Sequence, residues 1–133
     1  MLAAPEVDDR IGAVVAFVPA GSSRPLPGII AAPLTFEWRR DVPTLFVAAD
    51  RDRFVPPDRV RELYERTRGT KQLLTLNDAG HSHFGDEIDP ADGACPPETA
   101  HAFVRSVTLA HFDAYLRRSQ EALDHLHVLG ALA

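Results

Sequence analysis

Three short apolar segments divide the first part of the chain, and each is followed by residues typical of turns. They are residues 13–18 (AVVAFV), 44–49 (TLFVAA) and 72–76 (QLLTL). The first two are continuously apolar, which is typical of strands that a parallel sheet buries on both faces. The third mixes polar and apolar positions, as a strand nearer the edge of a sheet does. The pattern predicts three strands.

An amphipathic helix pattern lies between the second and third apolar segments. Pro57 suits the first position of a helix, Val60 and Leu63 begin an apolar stripe, and Gly69 suits a left-handed C-terminal cap. A strand, a helix and a strand within about 30 residues indicate a right-handed βαβ crossover. The sequence therefore predicts an α/β fold.

A second, longer helix is predicted from about Glu98 to Arg118. One apolar stripe consists of Phe103, Val104, Val107, Ala110, His111 and Ala114, and another of Leu109, Phe112 and Leu116. A helix with two apolar faces is expected to pack against both the sheet and a second element. Residues 119–133 are expected to add a short helical tail.

Composition limits the class of protein. The 133 residues include 14 Lys and Arg against 19 Asp and Glu, a net charge of −5, and 45% are hydrophobic, which fits one globular domain over residues 1–133. The acidic balance argues against nucleic acid or an anionic membrane as a partner. The longest apolar run, residues 11–20, is shorter than the roughly 20 residues that span a bilayer. With one cysteine, Cys95, no internal disulfide can form, and a cytoplasmic location is expected.

Two residues that can carry chemistry follow the second and third strands. Asp52 lies just past residues 44–49, and His81 lies just past residues 72–76. Parallel strands end at the same edge of a sheet, and neighbouring strands are about 4.8 Å apart. The two side chains are therefore expected within hydrogen-bond reach. An aspartate can orient a histidine and leave its second ring nitrogen free for general-base catalysis.

These segments resemble the α/β-hydrolase superfamily. PTLFVAADRDRFVPP (43–57) resembles the penultimate strand and acid turn of that family, and LNDAGHSHF (76–84) resembles its last strand and histidine loop. DDRIGAVVAFVPAG (8–21) is similar to the segment that leads into the sixth strand, and the helix from Glu98 is similar to the C-terminal helix. The resemblance covers residues 9 to about 118 and is greatest to dienelactone-hydrolase-like and cutinase-like esterases.

The resemblance implies a partial α/β-hydrolase fold, in which a three-stranded parallel sheet corresponds to the last three strands. It implies that Asp52 and His81 are the acid and base of a Ser-His-Asp triad, that the substrate is a small carboxylic ester or lactone, and that no cofactor is needed. No G-x-S-x-G nucleophile motif occurs in the sequence. The chain is therefore expected to be the C-terminal part of a serine hydrolase, inactive alone.

Alternative assignments remain for each member of the triad. Asp50 rivals Asp52, and His83 rivals His81, although Gly80 supplies a flexible turn directly before His81. Ser22 and Ser23 also follow a strand, but no glycine comes after them at the elbow position. These serines are expected to line the cleft.

The sequence also offers candidates for a metal site and for a substrate pocket. His81, His83, Asp86 and Asp89 are metal-ligating residue types, and a His-x-His segment in extended conformation places both rings on one side. The triad interpretation already explains one of these histidines, and no metal site is predicted. Phe54, His83, Phe84 and Trp38 are candidate substrate-binding residues; the competing interpretation of the aromatic residues is core packing.

The alternative function is a non-catalytic half-domain that pairs with a separate partner chain or acts as a binding module. Residues 13–18 carry no charge, and in the resembled fold this strand has neighbours on both sides. An unpaired edge there would promote self-association or pairing with a missing N-terminal half.

Overall fold

The structure, a computed structural model, describes residues 8–21 and 40–132. The strands are β1 (Val14–Phe17), β2 (Thr44–Ala49) and β3 (Lys71–Leu76), and the α-helices are α1 (Pro57–Arg66), α2 (Pro97–Leu116) and α3 (Gln120–Leu132). Two 3₁₀ turns, His81–Phe84 and Pro90–Asp92, lie between β3 and α2. Ser22, Ser23 and Trp38 lie outside the described residues.

The three strands form one parallel sheet in the order β1-β2-β3. Val14 of β1 pairs with Thr44 of β2, and Thr44 pairs in turn with Lys71 of β3. All six residues of the central strand are buried, as its continuously apolar sequence predicts. The predicted three-stranded parallel sheet with a crossover helix is therefore confirmed as a small α/β architecture.

Helices cover both faces of β2, and the alternation of its side chains decides which helix each one contacts. Phe46 clusters with Val60 and Leu63 of α1. Leu45, the residue before it in the strand, clusters instead with Val107 of α2. Successive side chains of a strand point to opposite faces, so the sheet lies between two helical layers.

The ends of α1 follow from local chemistry. Pro57 occupies the first turn, where a missing N–H costs nothing, and Asp58 places a negative charge at the positive end of the helix dipole. At the other end the ammonium of Lys71 donates to the carbonyls of Tyr64 (2.7 Å) and Thr67 (2.6 Å), two acceptors that the helix itself leaves unpaired.

The C-terminal helices differ from the prediction in one respect. The stripe on α2 that includes Val107, Ala110 and Ala114 is buried, as expected, but Leu109 and Leu116 of the second stripe are 63% and 56% exposed. The reason is that α3 packs on the buried side, where its fully buried Leu126 contacts Ala110 and Ala114. The predicted tail is a helix of 13 residues. Within the described residues, no helix combines the length and the apolar composition needed to cross a membrane.

Candidate functional site

Asp52 lies in the turn that follows β2, and its carboxylate has no exposed surface. One oxygen, Oδ1, accepts hydrogen bonds from the backbone N–H groups of Phe54 and Val55, both at 2.8 Å. This local turn closes because a short aspartate side chain can reach the N–H groups two and three residues ahead. The two bonds fix the carboxylate and leave its second oxygen, Oδ2, directed toward the end of β3.

His81 begins the 3₁₀ turn that follows β3, and its Nδ1 lies 2.8 Å from Oδ2 of Asp52. A carboxylate can only accept, so Nδ1 carries the hydrogen and donates it. The lone pair of the neutral ring is then on Nε2. The His81 side chain is 43% exposed, whereas the Asp52 side chain is fully buried. Solvent therefore reaches one side of the imidazole, and the buried carboxylate bonds to the other.

Phe54 lies at the outer edge of this Asp-His pair. Its side chain is 72% exposed, and its ring lies edge-on to the His81 ring with 5.7 Å between centroids. The hydrogen bond from its backbone N–H to Asp52 holds it there. A large exposed apolar ring beside a candidate base offers an apolar contact to a molecule that approaches the His81 ring.

Phe84 has a different environment. It is partly buried, stacks on Phe17 at the end of β1 with 5.5 Å between centroids, and packs against the hydrophobic core on both faces of the sheet. Its contacts are those of the core-packing interpretation. Its role in substrate binding stays a prediction from the sequence.

His83 is fully buried, so the structure does not bring it to the surface beside His81. Its Nδ1 accepts from the backbone N–H of Gly80 at 3.1 Å, and its Nε2 lies 3.2 Å from the carbonyl oxygen of Cys95. Since Nδ1 accepts, Nε2 carries the hydrogen and donates to that carbonyl. Both ring nitrogens therefore fasten the histidine loop to the segment that precedes α2, and neither is free to contact a ligand.

Asp50, the rival acid, is exposed, and its Oδ1 accepts from the backbone N–H of Ala79 at 3.2 Å. That bond joins the turn after β2 to the turn after β3. The carboxylate that contacts the imidazole of His81 is that of Asp52.

Asp92 is a residue that the sequence analysis did not single out. Its Oδ2 accepts from both the backbone N–H (2.7 Å) and the hydroxyl (2.8 Å) of Ser82, the residue directly after His81. Burial opposes its ionisation, but the two bonds from Ser82 and the nearby imidazoles of His83 and His81 outweigh burial and lower the pKa of Asp92. Its only sequence signal was membership in an acidic loop, which does not distinguish it from Asp86 or Asp89.

The other chemical possibilities receive no support from the geometry. Among residues 8–21 and 40–132, no three His, Cys, Asp or Glu side chains are grouped as a metal site would require. Burial, together with the carboxylates of Asp78 and Glu98, raises the pKa of the Cys95 thiol, which disfavours the reactive thiolate.

Comparisons of the chain with protein-family models, with curated proteins and with solved structures find no match in any of the three.

Proposed function

We propose that this chain supplies the acid and the base of a serine hydrolase that cleaves small carboxylic esters or lactones. The observation that carries the proposal is the 2.8 Å contact between Nδ1 of His81 and Oδ2 of Asp52, made by a buried carboxylate to a partly exposed imidazole. Two backbone N–H groups also bond to the Asp52 carboxylate, so the acceptor is held in place before the imidazole meets it.

In this mechanism the two residues have separate roles. Asp52 keeps the hydrogen of His81 on Nδ1, so that the lone pair on Nε2 can take a proton from an attacking hydroxyl. As the imidazole becomes charged, the buried carboxylate stabilises it. His81 then returns the proton to the leaving oxygen, and Asp52 remains ionised throughout.

The attacking hydroxyl comes, in this proposal, from a serine on a segment outside this sequence, because no G-x-S-x-G motif is present here. Phe54 forms an apolar wall beside the His81 ring, which favours substrates with an apolar acyl or alcohol group. Neither the wall nor the Asp-His pair requires a cofactor.

The test is hydrolysis of an activated ester, p-nitrophenyl acetate, by the full chain, because an imidazole whose Nδ1–H is held by a carboxylate can act as a base in that reaction even without a serine. We expect His81→Gln to remove most of the acceleration, whereas His127→Gln, a change at an exposed histidine of α3, leaves it unchanged. Equal losses from the two variants would contradict the role of His81. Labelling of Ser22 or Ser23 by a serine-directed phosphonate would contradict the role of an external serine.

A second candidate is a non-catalytic half-domain that binds a partner chain. The observation that favours it is the position of β1, which pairs with β2 on one side and with no strand of the described residues on the other. This candidate requires no catalytic activity. It is supported if both histidine variants hydrolyse the ester at the same rate as the unmodified chain.

A further inference from the structure

We propose that Asp92 is a positioning residue for His81: its carboxylate fixes the backbone on both sides of that histidine and thereby holds the imidazole against Asp52. The inference rests on the proposed function only in treating His81 as the base. The contacts from which it is argued are independent of the reaction.

The first observation is the pair of bonds on the C-terminal side of His81. Asp92 Oδ2 accepts from the backbone N–H and from the hydroxyl of Ser82, at 2.7 and 2.8 Å. Hydrogen bonds to an ionised acceptor are about twice as strong as neutral ones. A carboxylate ten residues along the chain therefore ties down the residue directly after the histidine.

The second observation is the close packing on the N-terminal side. A Cβ atom added to Gly80 would overlap the carboxylate group and the backbone carbonyl of Asp92. The residue directly before His81 therefore lies against the same side chain that bonds the residue after it. The 3₁₀ turn that carries His81 is held at two points by one acid.

The third observation is that Asp92 is itself held. The 3₁₀ turn Pro90–Asp92 is capped by Asp89, whose Oδ1 accepts from the N–H of Ala91 at 2.9 Å. The N–H of Asp89 donates to the hydroxyl oxygen of Ser82 at 3.1 Å. Ser82 thus bonds to both ends of the second turn, and the two 3₁₀ turns form one small hydrogen-bonded unit.

His81 needs such support because a 3₁₀ turn of four residues has few bonds of its own. Within the turn, the N–H of His83 reaches the carbonyl of Gly80 at 3.3 Å, which is long for a bond of this kind. Asp52 contacts only the end of the His81 side chain. Without Asp92, the ring of His83 would still hold the far end of the turn. Ser82, however, would lose both bonds to the carboxylate, and the 2.8 Å contact of the adjacent His81 with Asp52 would loosen.

The test is the proton NMR signal of the His81 Nδ1–H in the full chain, which a short bond to a carboxylate shifts strongly downfield. We expect Asp92→Ala to broaden this signal or to speed its exchange with solvent roughly tenfold, as loss of a charge-assisted bond would. Asp92→Asn should restore much of the signal, since an amide oxygen still accepts from the N–H of Ser82. Asp86→Ala, at an exposed acid of the same loop, should leave it unchanged.

A signal in Asp92→Ala as sharp and as slow to exchange as in the unmodified chain would overturn the proposal. If Asp92→Ala does not fold, Ser82→Ala takes its place. That variant keeps the backbone bond, removes the hydroxyl, and should speed exchange by a smaller factor, whereas an unchanged rate would overturn the proposal. Failure of the proposed function would leave these spectra as they are, because they report the Asp52–His81 bond and not ester hydrolysis.

Discussion

His81 Nδ1 and Asp52 Oδ2 lie 2.8 Å apart although 29 residues separate them in the chain. The α1 crossover between β2 and β3 accounts for this, because it returns the chain to begin a parallel neighbouring strand. Both strands then end at one edge, where one carries the acid and the other the imidazole. The pair is thus a product of topology, and each partner is fixed by its own turn.

Asp52→Asn and Asp52→Ala should separate the proposed catalytic role of Asp52 from its structural one. Asparagine keeps an oxygen for the N–H groups of Phe54 and Val55, whereas alanine leaves the buried Val55 N–H unpaired. We therefore expect Asp52→Ala to lower the free energy of unfolding by about 1–3 kcal/mol and Asp52→Asn by less.

Ester hydrolysis should respond differently to the same two changes. The amide of Asp52→Asn donates to His81 and so moves the ring hydrogen to Nε2, which abolishes the base. Both variants should therefore lose His81-dependent hydrolysis by roughly an order of magnitude or more. Urea titration and p-nitrophenyl acetate hydrolysis measure the two effects, and an Asp52→Asn chain with full activity would refute the role of the acid.

The stability of the chain should fall in mild acid because of His111. Its ring is buried, and Nε2 bonds to the carbonyl of Pro43 at 3.1 Å. Among residues 8–21 and 40–132, the buried Nδ1 has no hydrogen-bond partner. Burial lowers the pKa of His111, and contacts with the carbonyls of Pro43 and Val14 only partly oppose that effect. As the pH falls, His111 of the unfolded chain therefore takes up a proton near the ordinary histidine pKa of about 6.5, whereas His111 of the folded chain does so only at lower pH.

The contribution of His111 is thus fully present above that pH and is lost as the pH falls below it. We expect the free energy of unfolding, measured in urea from about pH 8 to about pH 5, to decrease less in His111→Phe than in the unmodified chain. The Pro43 carbonyl keeps its bond from the N–H of Val14 in that variant. His127→Gln, at an exposed site, should show the same decrease in the free energy of unfolding with pH as the unmodified chain. The same decrease in His111→Phe would show that burial of the His111 ring does not cause the loss of stability in acid.

Arg118→Gly should stabilise the chain. Arg118 follows the end of α2 with φ of 58°, a left-handed conformation that glycine adopts without the steric cost of a Cβ atom. The N–H of Ser119 next to it donates to the carbonyl of Asp113, which holds the turn in that form. A gain of about 1 kcal/mol in thermal or urea unfolding is expected.

Arg117→Gly provides the matched control. Arg117 has φ of −97° and ψ of −8°, where glycine has a larger loss of backbone entropy, and the ion pair of Arg117 with Asp113 is largely exposed and contributes little to stability. We expect a loss of about 0.5–1 kcal/mol there. Equal effects at the two positions would mean that the left-handed conformation of Arg118 is not what limits stability.

The outer edge of β1 should mediate association between chains. Val15 lies half-buried in this strand, and no strand within residues 8–21 and 40–132 pairs with its outer side. Sedimentation equilibrium at micromolar concentration should detect dimers or larger species, and Val15→Lys should shift them toward the monomer. Leu109→Lys tests the exposed stripe of α2 instead and should have no effect.

Two results would contradict association through β1. A monomer whose residues 14–17 exchange their amide hydrogens freely would show an edge that is open but does not pair. Loss of association in Leu109→Lys alone would place the contact on α2.

The strands, the first helix and the position of the acid could be predicted from the sequence because they depend on local signals. A run such as TLFVAA has no charged side chain to expose, so it suits the central strand. Pro57 suits the first position of a helix, and a helix begins there. Once the strands are parallel and adjacent, the meeting of Asp52 and His81 follows from topology. These features needed no knowledge of side-chain packing.

The choice between His81 and His83 needed the tertiary structure. An extended His-x-His segment would place both rings on one side, but the segment is a 3₁₀ turn, in which residues two apart are rotated by about 240°. His83 therefore turns inward, where the Gly80 N–H and the Cys95 carbonyl bind its ring, and His81 turns outward to Asp52. The acid that holds this turn, Asp92, acts across ten residues of irregular chain, and no periodic pattern encodes such a contact.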